Sequence, residues 1–142
     1  MTYDEDTAGG LMTVDFAVLP LGLTASEALA RLRALPDPPD PLYHVYIVPS
    51  EESRQLVGVV SLRRIALADP SRRLAELMLT DFRTVRPDER PREVAHVMAE
   101  YDLPDLPVVD EQGNILGVIL IDDAIDALYP DLWRRRLSGV FR

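Results

Sequence analysis

The chain has 142 residues, and 47% of them are hydrophobic, which is enough to form one compact domain or two small fused ones. It contains no Cys, and all 15 basic residues are Arg, which excludes a disulfide framework, a thiolate metal site, a P-loop and Schiff-base chemistry. The formal net charge of -9 argues against nucleic acid as a partner. No apolar run is long enough for a membrane span and the first residues lack a signal-peptide pattern, so we expect a cytoplasmic chain.

The first half of the chain predicts a helix and a β-hairpin, each with recognisable boundaries. Thr24 and Glu27 have the spacing of a capping box, and apolar residues follow at helical spacing until Pro36 ends the helix. Residues 36–41 contain four Pro and must form a surface loop. The other elements that we expect are an opening turn at 11–13, strands near 16–19, 45–48 and 56–60, and a helix near 62–68.

The second half repeats this plan. At a shift of 66 residues the recurring positions are Leu11 and Leu77, Met12 and Met78, Asp15 and Asp81, Phe16 and Phe82, and Glu27 and Glu93. Pro91 suits the first position of a helix, and the stretch 106–125 predicts a strand, a polar turn, a strand and a helix. We therefore predict an acidic lead-in at 1–10, repeats at 11–70 and 71–129, and a C-terminal tail at 130–142.

The predicted fold is of the mixed α+β or α/β class. Each repeat has the order β-α-β-β-α, and each has one apolar sheet face that is too small to be stable alone. Packing the two sheets against each other with the helices outside would give a disc with pseudo-twofold symmetry.

The negative charge is concentrated in the second repeat. Between Glu93 and Asp131 there are ten acidic residues and no Arg, whereas the remainder of the chain has fourteen acidic residues and fifteen Arg. This acidic surface is either simply solvated or adapted to bind a cation.

Several motifs resemble a known family. Leu-Met-x-x-Asp-Phe, Pro-Val-Val-Asp at 107–110 and Gly-Val-Ile-x-x-Asp-Asp at 117–123 resemble a tandem pair of cystathionine-beta-synthase (CBS) domains, also called a Bateman module. Residues 3–13, Tyr101-Asp102-Leu103 and 106–111 are similar to the CBS region of MgtE-type magnesium transporters. The resemblance covers residues 3–128 and implies a regulatory ligand-sensing module that binds Mg²⁺, with no enzymatic activity.

The resemblance also implies a metal site. Asp102 and Asp126 match an acidic pair that binds Mg²⁺ in the transporters, and Asp122 and Asp123 match the acidic pair at the start of the last helix. Without a metal, a helix start stabilises Asp122 and Asp123 by ~0.3 to 1 kcal/mol. Asp126 lies one turn beyond Asp122, and this like-charge pair costs roughly 0.2 to 0.5 kcal/mol. Helix capping therefore explains two of these three acids, and both metal binding and a solvated acidic face remain open.

An adenine nucleotide is the alternative ligand of CBS pairs. The family grips it with a strand-end Ser or Thr and an Asp three residues later. The first repeat has Ser61 but Arg64 in place of the Asp, and the second has Asp123 but Leu120 in the hydroxyl position. One degraded site that uses Ser61 or Asp123 is the alternative hypothesis, that of a free-standing CBS protein which binds AMP or ATP and regulates a partner by contact.

The partners follow from the same resemblance. We expect a homodimer that regulates a transporter membrane domain or another protein, and a location in the cytoplasm or as the cytosolic part of an inner-membrane protein. No Ser-His-Asp order or nucleophile motif is present, and two His are too few for a zinc site. The tail, with Trp133 and three consecutive Arg, suits docking to a partner subunit or to the acidic face, or weak binding to a membrane surface.

Overall fold

The computed structural model describes residues 2–129, so the predicted tail at 130–142 lies outside the described residues. Within the described part, no helix is long and apolar enough to cross a membrane. The helices are α1 (Ala8–Leu11), α2 (Ala25–Arg33), α3 (Leu62–Leu67), α4 (Leu74–Leu77), α5 (Pro91–Glu100) and α6 (Ile121–Leu128). The strands are β1 (Ala17–Pro20), β2 (His44–Val48), β3 (Gly58–Ser61), β4 (Asp105–Val109) and β5 (Ile115–Leu120).

The strands form two sheets. The first has the order β1-β2-β3, with β1 parallel to β2 and β2 antiparallel to β3. The second contains β4 and β5. The second repeat has no full counterpart of β1. Only Val85 forms a bridge there, to Val108. Two residues later, Pro87 has no backbone N–H to donate to a longer ladder.

Local sequence signals set the helix boundaries. The hydroxyl of Thr24 accepts the Glu27 N–H at 3.1 Å, and the Glu27 carboxylate accepts the Thr24 N–H at 2.9 Å, so the predicted capping box is confirmed. Helix α5 begins at Pro91, as predicted. Residues 36–41 form neither helix nor strand.

The chain forms two compact units. Unit I comprises residues 14–82 and 109–115, and unit II comprises, within the described part, residues 2–13, 83–108 and 116–129. The core of unit I contains Ala17, Leu19, Ala25, Ala28, Leu32, Val45, Ile47, Val60, Ile65, Leu74 and Leu77. The core of unit II contains Ala8, Val85, Val94, Met98, Leu106, Val108, Ile119 and Ala124. The opening segment therefore packs in one core with most of the second repeat.

The same contact occurs once in each unit. In unit I the side chain of Met78 lies against Gly58, and in unit II the side chain of Met12 lies against Gly117, so closely that a Cβ atom on either Gly would overlap the Met side chain. Beside these contacts, Val59 forms a bridge with Leu79, and Thr13 forms one with Val118. In each unit, the last strand and helix of one repeat thus pack against the opening turn of the other. The packing of the two sheets as a disc stays a prediction.

Candidate functional site

Helix α6 carries three of the four acids that the sequence singled out. Strand β5 runs directly into this helix, and Leu120 at its N-cap makes no side-chain capping bond. Asp122 and Asp123 occupy the first turn and are exposed, whereas Asp126, one turn later, is half-buried. The predicted helix therefore places these three carboxylates within two turns of one another.

Asp123 and Asp126 face an open cleft of about 420 Å³. Its other wall is the end of α1 and the turn that follows it, residues 10–13, and Ala127 completes the lining. The sequence analysis treated these residues only as a lead-in and an opening turn. The signal that identifies them is the internal repeat, which makes Leu11 and Met12 the counterparts of Leu77 and Met78.

The cleft disfavours negative charge in the absence of a ligand. Although Asp123 is exposed as a residue, desolvation by the surrounding protein raises the pKa of its carboxyl, and the neighbouring carboxylates of Asp122 and Asp126 raise it further. A bound cation would reverse both effects, since it would stabilise the ionised form of each carboxylate. The arrangement is chemically suited to a hydrated divalent cation.

Asp102 lies in a different cleft. This second opening, of about 440 Å³, is lined by Asp102 and by Met98, Ala99, Leu103, Pro104 and Ile121. Among residues 2–129, no group of three or more His, Asp or Glu side chains is close enough to hold a metal ion. The structure therefore assigns Asp102 to one cleft of unit II and Asp123 with Asp126 to another.

Asp102 has an unusual backbone. It follows the end of α5 with φ at 56°, and it is the one non-Gly residue of positive φ in the described chain. The Leu103 N–H donates to the Met98 carbonyl at 2.9 Å, and the Asp102 N–H donates to the Ala99 carbonyl at 3.4 Å, which is the Schellman pattern of a helix end. Gly usually occupies this position, although Asp tolerates the left-handed conformation better than most other residues.

An Arg that sequence reasoning missed lies beside this turn. The guanidinium carbon of Arg83 is 4.2 Å from the ring centroid of Tyr101, the residue before Asp102. No local pattern connects positions 83 and 101, because they are separated by the whole of α5. The cation–π contact places a fixed positive charge near the end of that helix.

The residues of the nucleotide hypothesis make internal contacts. Ser61 is the N-cap of α3, and its hydroxyl accepts the Arg64 N–H at 3.0 Å. The Arg64 side chain donates from Nε to the carbonyl of Leu77 at 2.8 Å. Ser61 belongs to unit I, whereas Asp123 belongs to unit II. Arg64 is exposed, and its side chain links α3 to the end of α4.

Comparison with known proteins agrees with this architecture. The chain is 43% identical over 126 residues to the magnesium transporter MgtE of Thermus thermophilus, a match that covers 89% of this chain and 28% of the transporter. A crystal structure of the cytosolic domain of the Mg²⁺ channel MgtE in complex with ATP is 45% identical, with a TM-score of 0.80 over 87% of this chain and 49% of that one. The soluble part of a magnesium transporter is 29% identical, with a TM-score of 0.84 over 91% of this chain and 50% of that one.

The match is to one region of these relatives, since the chain spans about a quarter of the curated transporter and half of each solved chain. The resemblance to the CBS region of MgtE and the predicted fold class are both confirmed. The family model for the CBS domain matches residues 8–71 and again residues 74–130. Two consecutive matches over nearly the whole sequence show that this chain belongs to the CBS-domain family, as a tandem pair.

Proposed function

We propose that this chain is the Mg²⁺-responsive regulatory module of an MgtE-like magnesium transporter, and that it acts in the cytosol as part of that membrane protein. The observation that carries the proposal is the 43% identity to MgtE over 89% of the chain. In this proposal the module binds Mg²⁺ and has no catalytic role. The regulated partner is the membrane domain of the transporter, and the module acts as a twofold homodimer.

The chemistry of Mg²⁺ suits the two clefts of unit II. Mg²⁺ keeps several of its waters and binds through one or two carboxylates, so it does not require a cage of three or more protein ligands. Asp123 and Asp126 supply two carboxylates in one cleft, and Asp102 supplies one in the other. Such sites are weak, so their occupancy can follow changes in the concentration of Mg²⁺, which is the property that a sensor needs.

Cation binding has a clear physical consequence at the α6 cleft. Without Mg²⁺, three carboxylates within two turns of α6 repel one another, and the pKa of Asp123 is raised. With Mg²⁺, the repulsion is neutralised, and the ion can also bind to the chain at residues 10–13 across the cleft. The opening segment and α6 then hold together more tightly, and this change is the signal that we propose is passed to the rest of the transporter.

The proposal is tested by thermal unfolding during a Mg²⁺ titration up to about 20 mM. A ligand that binds only the folded state adds about 2.7 kcal/mol to the stability when its concentration is 100 times its Kd. NaCl at matched ionic strength is the control, because salt alone screens the repulsion among carboxylates. We expect Mg²⁺ to raise the Tm above the NaCl control, and the double variant Asp123→Asn, Asp126→Asn to lose most of this rise. If the wild type shows the same Tm in both salts, the sensor hypothesis is wrong.

Adenine nucleotide binding is the second candidate function, and the ATP complex of the relative that is 45% identical favours it. Arg64 stands where the family motif requires Asp, so a nucleotide would use a modified site in this chain. The same unfolding assay with AMP and with ATP separates the two functions. A rise in Tm with micromolar AMP in EDTA, without any response to Mg²⁺, would favour the free-standing nucleotide-binding protein.

A further inference from the structure

The internal repeat allows each functional position to be compared with its counterpart. The Met–Gly contacts align Gly58 with Gly117, and therefore the starts of α3 and α6. In this alignment, Arg64 corresponds to Asp123, and both lie in the first turn of their helices. The opposite walls are counterparts too, because Leu77 ends α4 and Leu11 ends α1. Asp123 lines one cleft with residues 10–13, so the two units carry side chains of opposite charge at equivalent positions near equivalent helix ends.

In unit I the contact is closed by the protein itself. The Nε of Arg64 donates to the carbonyl of Leu77 at 2.8 Å, and the bond is partly buried. The last carbonyls of a helix lack intrahelical donors, and a cationic side chain at a helix C-terminus both supplies a donor and interacts favourably with the helix dipole. Arg64 therefore fixes the start of α3 to the end of α4 without a ligand.

In unit II the same contact cannot be closed by the side chain at that position. Asp123 has only acceptor oxygens when it is ionised, and it faces residues 10–13 across the cleft. The carbonyl that ends α1 is also an acceptor, so joining it to the Asp123 carboxylate would require a positive charge or a donor between them. The cleft of about 420 Å³ leaves room for a hydrated ion there.

We propose that the Arg64 guanidinium is a built-in cation, which does in unit I what a bound cation does between Asp123 and the end of α1 in unit II. It follows that the chain takes one cation at this pair of equivalent positions and not two. It also follows that an Arg at position 123 would hold unit II in its cation-bound state without metal. The inference rests on the proposed function, since it takes the ligand of the α6 cleft to be the Mg²⁺ of that proposal.

The test is the variant Asp123→Arg, measured by thermal unfolding in EDTA and again in Mg²⁺. The new guanidinium should donate to the end of α1 and remove the repulsion within α6, so we expect the Tm in EDTA to rise by about 2 to 4 °C above the wild type. The rise on addition of Mg²⁺ should fall to less than half of the wild-type value. The matched control is Asp88→Arg, which makes the same change in net charge at an exposed turn of the same unit.

A reciprocal variant tests the other unit. The counterpart of Asp126 in unit I is the exposed Leu67, so the double variant Arg64→Asp, Leu67→Asp gives unit I the two carboxylates of the α6 cleft. It should lower the Tm in EDTA and add a second Mg²⁺-dependent rise that the wild type does not have. Arg64→Gln retains a donor but no charge, and it should lower the Tm less and gain no response to Mg²⁺. If the double variant folds too poorly to measure, the Asp123→Arg result decides alone.

The outcomes distinguish this inference from the proposed function. If the wild type responds to Mg²⁺ but Asp123→Arg is no more stable in EDTA than Asp88→Arg, the inference is wrong and the sensor function stands. If Asp123→Arg responds to Mg²⁺ as fully as the wild type, the inference is also wrong. If the wild type does not respond to Mg²⁺ beyond the NaCl control, both are wrong.

Discussion

Replacing Asp102 by Gly should stabilise the metal-free protein and weaken its response to Mg²⁺. The residue has φ at 56° at the end of α5, where the Schellman bonds require the left-handed conformation. This conformation costs a non-Gly residue roughly 1 to 2 kcal/mol, although Asp tolerates it better than most. Gly adopts it without that cost.

The expected gain is smaller than the full relief of strain. Introducing Gly also increases the conformational freedom of the unfolded chain, which costs about 0.4 to 1 kcal/mol. A net stabilisation of about 0.5 to 1 kcal/mol remains. For a chain of this length it corresponds to a rise in Tm of about 2 °C.

Two further variants separate the backbone from the carboxylate. Asp102→Asn tolerates the same φ and should leave the Tm in EDTA nearly unchanged, whereas Asp102→Ala keeps the strain and should fall below the wild type. All three remove the carboxylate, so all three should lose part of the Tm increase in Mg²⁺. The order Gly, Asn, Ala in EDTA is the expected result, and Asp102→Gly falling below Asp102→Asn would refute the strain argument.

Two other contacts give predictions. Gly117→Ala places a Cβ against the side chain of Met12 and should cost about 1 to 3 kcal/mol in urea unfolding, and a second substitution, Met12→Ala, should recover part of it if the close contact is the cause. The pKa of Glu27 is held below its usual value by the hydrogen bonds with Thr24, so its contribution to stability is present above the unfolded pKa and is lost as the pH falls through the lower folded pKa. The wild type should therefore exceed Glu27→Gln in stability at neutral pH by a margin that narrows below about pH 5, and a margin independent of pH would contradict this assignment.

The parts of the fold that the sequence predicted are those that depend on local contacts. The capping box at Thr24 and Glu27 and the start of α5 at Pro91 involve residues within one helical turn, so spacing alone identifies them. The sequence does not predict that the opening turn of each repeat packs against the last strand and helix of the other. The 66-residue shift shows that two copies exist, but it does not show which strand each opening turn packs against. That choice depends on contacts such as Met12 with Gly117, more than 100 residues apart in sequence.

The candidate site also has one part that the sequence predicts and other parts that depend on the folded chain. The cluster of Asp122, Asp123 and Asp126 follows from helical spacing and was predicted. The separate cleft of Asp102 depends on the left-handed turn after α5, which no residue type signals when Asp rather than Gly occupies it. The partner of Arg64 lies thirteen residues later, and only the folded chain brings its carbonyl within hydrogen-bond distance.

The presence of two clefts affects how completely such a module can switch between two conformational states. Moving a two-state equilibrium from 1:99 to 99:1 requires a difference in binding free energy of about 5.5 kcal/mol between the two states. One cation at 100 times its Kd supplies about 2.7 kcal/mol, which is half of that amount. In the proposed function, a single cleft would therefore leave the module incompletely switched even at 100 times its Kd. Two such cations, one in each proposed cleft of unit II, would together supply about 5.4 kcal/mol at the same multiple of their Kd, which is close to the required value. In the proposal that Arg64 is a built-in cation, the equivalent contact in unit I needs no metal, so the free energy of cation binding would act on unit II, which contains the opening segment of the chain.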